Sequence, residues 1–247
     1  MTETMSTTVT ESPTVLCFHH AGGSASVYRR WSDSAALDIV PVQLPGRENR
    51  RHEPRLTDLD ALVDLLEIEL AEEMDRPYVL FGHSMGALVA YTLAARAVAD
   101  GRRVPESLVV AASAPPHLPT LPLPLDSLTD LEIAHALAEY DGLPRVLLER
   151  PEWLGPLLAV VKDDIRVCQS NRLESVTSLS VPIHAIGGSR DRLVAQTSLA
   201  QWDRHTSRDF SMTIIEGGHF LTTEKSDELF ALVERIVSTT VAAVSIQ

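Results

Sequence analysis

The stretch from Tyr78 to Ala99 constrains this chain more than any other. Tyr78-Val79-Leu80-Phe81 is an apolar run that reads as a strand, Gly82-His83-Ser84-Met85-Gly86 follows at once, and residues 87–99 form a small-residue helical stretch. G-x-S-x-G between a strand and a helix is a sharp turn in which the serine takes a strained backbone geometry and neighbouring chain presses close on both sides. Glycine, lacking a Cβ, fits easily at Gly82 and Gly86. Such a turn lifts the Ser84 hydroxyl clear of a sheet edge and sets it at a helix N-terminus, where backbone N–H groups can meet an oxyanion. Ser84 is therefore the candidate nucleophile. The competing reading is a glycine-flanked turn whose serine only caps the helix.

Around this turn the chain alternates strand and helix signals. Apolar runs at residues 15–18, 39–44, 107–113, 181–191 and 211–215 read as further strands, with Pro41 suggesting a sheet edge or strand start. Helical periodicity falls at 28–36, at Leu56, Leu59, Leu62, Val63, Leu66 and Leu70, and at 198–205 and 226–237. This alternation predicts an α/β fold with a mostly parallel central sheet covered by helices on both faces. One block breaks the alternation. Residues 114–178 open with Pro115, Pro116, Pro119, Pro122 and Pro124 and then carry only helical pieces at 127–140, 146–149 and 153–171, the first with Ser127 as N-cap. The block reads as a helical lid inserted into a single domain spanning 14–240. Residues 1–13 are rich in Thr, Ser and Glu with no basic or apolar leader and read as a disordered tail, which makes a cytoplasmic protein the expectation; 241–247 read as a C-terminal tail or frayed helix end.

Composition narrows the function classes. A formal charge of −13 disfavours nucleic acid or an anionic membrane as the main partner, and no run is long enough to cross a bilayer. Cys17 and Cys168 show neither a CxxC nor a zinc spacing and read as two buried or semi-buried thiols. Arg47, Arg50, Arg51 and Arg55 form a local basic cluster in this acidic chain. They read either as a solvated loop with partners such as Glu48 and Glu53 or as a contact for an anionic partner.

Two further polar residues stand after apolar strands. Asp191 ends the 181–191 run and His219 follows the 211–215 run, giving the chain order Ser84, Asp191, His219, which is the order of the α/β-hydrolase triad. On one edge of a parallel sheet His219 would take the serine proton and Asp191 would orient the imidazole. Asp163, Asp164 and Asp209 are rival carboxylates, the first two reading as solvated charge in the lid. Among rival histidines, His83 is fixed inside the turn, His19 and His20 lie in the first glycine-rich loop, and His184 is inside a strand. That first loop, His19-His20-Ala21-Gly22-Gly23, suits a second oxyanion donor, with the Ala21 N–H pairing that of Met85.

Taken together, His20-Ala21-Gly22-Gly23, Gln43-Leu44-Pro45-Gly46-Arg47, Gly82-His83-Ser84-Met85-Gly86, Gly188-Ser189-Arg190-Asp191 and Gly217-Gly218-His219-Phe220-Leu221 resemble the type II thioesterases of polyketide and nonribosomal peptide synthesis. The resemblance runs from about residue 14 to 237; family members usually have proline where this chain has His19. It implies an α/β-hydrolase fold, a triad at Ser84, Asp191 and His219, and an oxyanion hole at Ala21 and Met85. It also implies hydrolysis of stalled or misprimed acyl groups from the phosphopantetheine arm of acyl or peptidyl carrier proteins, or of small acyl thioesters, without metal or cofactor. Carriers are typically acidic, so the arginine cluster becomes a candidate docking site, and lid mobility a candidate source of acyl selectivity. A monomer is the simplest expectation. A small-molecule carboxylesterase or lactonase and a catalytically silent hydrolase-fold binding protein are the alternatives.

Overall fold

A computed structural model describes residues 12–119, 123–143, 145–173 and 176–244. Among these, six strands form one parallel sheet in the order β2-β1-β3-β4-β5-β6: β1 Thr14–Phe18, β2 Asp38–Pro41, β3 Tyr78–His83, β4 Ser107–Ala111, β5 Ile183–Gly188 and β6 Phe210–Ile215. Strands β1, β3 and β4 are buried along their whole length, which is why they read as unbroken apolar runs. Pro41 lies on the edge strand, where its missing N–H costs no ladder bond.

Helices cover both faces: α1 Leu59–Glu69, α2 Ala71–Met74, α3 Met85–Ala99, α4 Asp130–Glu139, α5 Pro151–Gln169, α6 Gln196–Leu199, α7 Leu221–Glu224 and α8 Ser226–Val244. Alternate residues of β3 divide between two cores. Leu80 packs with Leu62 and Leu66 of α1 and Leu93 of α3, whereas Val79 and Phe81 pack with Trp31 and with Leu229 and Val233 of α8. A third apolar cluster, including Ile133, Leu137, Leu154, Leu158 and Val161, is built by α4 and α5, which lie between β4 and β5.

Local expectations fail where side-chain chemistry overrides periodicity. The helix expected at 28–36 is two 3-10 turns, Ala25–Tyr28 and Trp31–Asp33, which point Tyr28 and Trp31 inwards at the three-residue repeat of that helix type. The Tyr28 hydroxyl donates to Phe18 O at 2.8 Å. Helix α4 is capped by Thr129 rather than Ser127: Thr129 and Glu132 close a reciprocal capping box that Ser127, three residues before Asp130, does not offer. The helix expected at 198–205 is α6 followed by a 3-10 turn, Ala200–His205. Helix α8 runs on to Val244, beyond the 237 expected, with the Thr239 and Thr240 hydroxyls donating back to Arg235 O and Ile236 O. Four residues of the expected C-terminal tail are thus helical; residues 245–247, and 1–11 of the expected N-terminal tail, lie outside the described residues. Among the described residues no helix is long and apolar enough to cross a membrane.

Candidate active site

The turn after β3 has the crowding its sequence implies. Ser84 sits at φ 54, ψ −116, a region L-residues occupy only under strain, and its N–H is tied to Ala111 O at 2.9 Å. A Cβ on Gly82 would lie 2.3 Å from Gly86 O, and one on Gly86 would lie 2.1 Å from Phe18 O. Both contacts are with backbone, so no side-chain movement relieves them.

The loops after β3, β5 and β6 bring three distant residues together. Ser84 Oγ is 2.9 Å from His219 Nε2, and His219 Nδ1 is 2.9 Å from Asp191 Oδ2. The other Asp191 oxygen accepts the backbone N–H groups of Leu193 and Val194, at 2.8 and 3.0 Å. This assigns the tautomer: Nδ1–H donates to the pinned carboxylate, leaving Nε2 to accept the serine hydroxyl proton. Both partners are removed from solvent, with side-chain exposures of 5% for His219 and 1% for Asp191. Behind them His83 Nε2–H donates to the His219 carbonyl at 2.7 Å, bracing the turn that carries the imidazole. Burial, and then His20 and His219, hold His83 far below the ordinary histidine range, so it stays neutral.

Ser84 and His219 open into a cavity of about 380 Å³, with Leu88, Leu137, Val161 and Ile165 among its apolar walls. Ala21 and Met85 line it too, and neither backbone N–H has an acceptor among the described residues. Ala21 follows β1 and Met85 opens α3 directly after β3. The strand order reverses between β1 and β3, where open α/β sheets bind ligands beyond the strand C-termini. Among the described residues no group of three or more His, Cys, Asp or Glu is placed to hold a metal ion.

The arginines do not form one surface. Arg47 is buried, 8% exposed, and bonds Asp164 through both terminal nitrogens at 2.7 Å. It therefore cannot serve the docking role expected of it. Arg50 is engaged in forked pairs with Glu53 and Glu69. Arg55 pairs with Asp163 at 2.6 Å and stays partly exposed, while Arg51 is exposed with no side-chain partner among the described residues. Asp164 is likewise not solvated charge but a buried acceptor. A signal for its position was present: Leu158, Val161, Ile165 and Cys168 mark one face of α5, and Asp164 borders it whereas Asp163 lies on the opposite side.

A thioesterase-domain family model matches residues 13–238. Over 222 residues the chain is 34% identical to the linear gramicidin dehydrogenase LgrE of Brevibacillus parabrevis, covering 88% of this chain and 84% of that one. Among solved structures it is similar to the thioesterase RedJ from the prodiginine pathway of Streptomyces coelicolor, at 28% identity and a TM-score of 0.83 over 91% of this chain and 86% of that one. It is also similar to the type II thioesterase BorB from the borrelidin biosynthetic cluster, at 32% identity and a TM-score of 0.80 over 92% and 93% of the two chains. LgrE is named for a dehydrogenase, but the loop after β1 in this chain is His19-His20-Ala21-Gly22-Gly23 and not a dinucleotide-binding G-x-G-x-x-G. The sheet and its helices form an α/β-hydrolase fold, and the chain belongs to the thioesterase family, in its type II branch.

Proposed function

We propose that this chain is an editing thioesterase, hydrolysing stalled or misprimed acyl groups from the phosphopantetheine arm of acyl or peptidyl carrier proteins. The observation that carries the reading is the unbroken series from Ser84 through His219 to the backbone-pinned Asp191, opening into the same cavity as two unpaired N–H groups. Ser84 Oγ attacks the thioester carbonyl as His219 Nε2 takes its proton, and the oxyanion is received by the Ala21 and Met85 N–H groups, each worth roughly 3 kcal/mol. The C–S bond then breaks and His219 protonates the departing thiolate. Water, deprotonated by the same nitrogen, attacks the acyl-serine to release the carboxylic acid and restore Ser84. No metal or cofactor enters this reaction sequence.

The apolar walls support an acyl group as the occupant, with α4 and α5 acting as the lid over it. Of the four arginines, Arg51 and Arg55 keep enough exposure to meet a carrier. The test is a panel of acyl groups on one carrier protein, assayed with wild type and Ser84→Ala. Turnover should fall by about 10^4-fold or more in the variant. Retained hydrolysis would sink the mechanism, and a preference for free oxygen esters would turn the reading towards a carboxylesterase.

A further inference from the structure

The loop that presents the Ala21 N–H is a turn closed by Gly23 N–H donating to His20 O at 3.0 Å, with Gly22 at φ 78 in its third position. Helix α5 grips this turn. Asp164 Oδ2 accepts the Gly22 N–H at 2.7 Å and Arg47 Nη1 at 2.7 Å, while Oδ1 accepts Arg47 Nη2 at 2.7 Å. Arg47 Nη1 also donates to Gly23 O at 3.2 Å, and its Nε to Pro45 O at 3.4 Å. One guanidinium thus ties the loops after β1 and β2 to α5. The helix presses directly on the turn as well: a Cβ on Gly22 would lie 2.6 Å from Val161 Cγ2.

We propose that Arg47 and Asp164 are positioning residues for the oxyanion hole, through which α5 holds the Ala21 N–H in place opposite that of Met85. The inference rests on the thioesterase mechanism above and adds a condition to it. Ala21 is the residue immediately before the clamped Gly22, so any shift of the Gly22 peptide re-aims its neighbour. The oxyanion hole is complete only while α5 is seated at Asp164. Lifting α5 there would strand two buried charges, so movements that admit substrate must leave this part of the helix in place.

Removing one ion alone leaves the other unpaired and endangers folding, so the decisive variant replaces both, Arg47→Met with Asp164→Leu. Exchange of a buried ion pair for apolar groups of similar size is commonly tolerated. On a small acyl thioester, kcat should fall by about 10- to 100-fold, the size of a misplaced donor, with KM within about 2-fold of wild type. The melting temperature should be at or above wild type. Asp164→Asn, which keeps a side-chain oxygen for the Gly22 N–H, is the second variant and should retain more kcat than the double variant. Wild-type kcat in the double variant overturns the proposal. A kcat loss accompanied by a clearly lowered melting temperature in the double variant overturns it too, since the pair would then be structural. Ser84→Ala in the same assay separates the two claims: if it retains activity the mechanism fails, whereas if it is dead and the paired variants turn over normally only the positioning role fails.

Discussion

His219 works among imidazoles that are held neutral. Burial, followed by Arg47, depresses His19 to about 4; burial, followed by His19 and His219, depresses His20 to about 3. His83 lies well below the ordinary range, and away from this cluster, where His205 packs against Tyr91 and Trp202, burial with His117 and Arg204 brings it to about 4. His20 and His83 meet edge-to-face at 5.1 Å, and His83 lies 5.6 Å from His219, so a proton on either neighbour would oppose the imidazolium that His219 forms in the proposed mechanism. Stability carries the same signature. In the unfolded chain these groups titrate near 6.5, so between about pH 6.5 and 4 the unfolded state binds more protons and stability rises with pH. Their contribution is complete above that window and is lost as pH falls through it, His19 alone accounting for roughly 3 kcal/mol at about 1.4 kcal/mol per pH unit. Melting temperature measured from pH 8 to 4 should be level above about 7 and decline well before the carboxylates titrate. A level profile down to pH 5 would contradict the neutral-cluster account.

At the scale of elements, two glycines make different predictions. Gly86 opens α3 against the β1 carbonyls, and Gly86→Ala should destabilise by at least about 1–3 kcal/mol, because the clash is with the Phe18 backbone. Gly155 lies within α5, where an added Cβ would meet nothing within 4 Å beyond its chain neighbours, but Pro156 follows it and the proline Cδ opposes a Cβ on the helical residue before it, so Gly155→Ala should change stability by less than about 0.5 kcal/mol. Denaturant melts of the two variants check both. The same contrast explains what was legible. The strand–turn–helix around Ser84 could be read because its constraints are local: apolar strand, glycine, serine, glycine, small-residue helix. The central strands could be read because burial on both faces leaves no polar positions. The 3-10 turns at Tyr28 and Trp31 could not, because their periodicity was imposed by inward packing that no short window contains. Asp164 escaped because a carboxylate in mid-helix is usually solvated, and the guanidinium that buries it lies 117 residues away in the chain. The four arginines were one cluster in sequence, yet folding sends Arg47 inwards, forks Arg50 onto Glu53 and Glu69, and leaves Arg51 outside.

For the molecule as a whole, net charge and the proposed carrier partner pull in opposite directions. The chain carries −13, and an acidic carrier would be repelled at distances where only net charge matters. Many of its cations are already neutralised at home: Arg96 bonds Asp60, Asp64 and Glu67, Arg102 bonds Glu67 and Asp100, and Arg166 bonds Asp126 and Asp163. Attraction to the proposed carrier would therefore have to be local and come from cations without such partners. Arg51 meets that condition, and Arg55 meets it in part because Asp163 is shared with Arg166. Arg51→Glu should raise KM for acyl-carrier substrates by about 2- to 5-fold, the range expected of an exposed charge pair worth up to about 1 kcal/mol. Small acyl thioesters, which never touch that surface, should keep wild-type KM and kcat. Arg50→Glu is the useful contrast: its loss breaks pairs within the chain, so it should lower the melting temperature while leaving the ratio of carrier to small-thioester KM unchanged. If Arg51→Glu affected both substrate types equally, the carrier would have to approach from another face of the molecule.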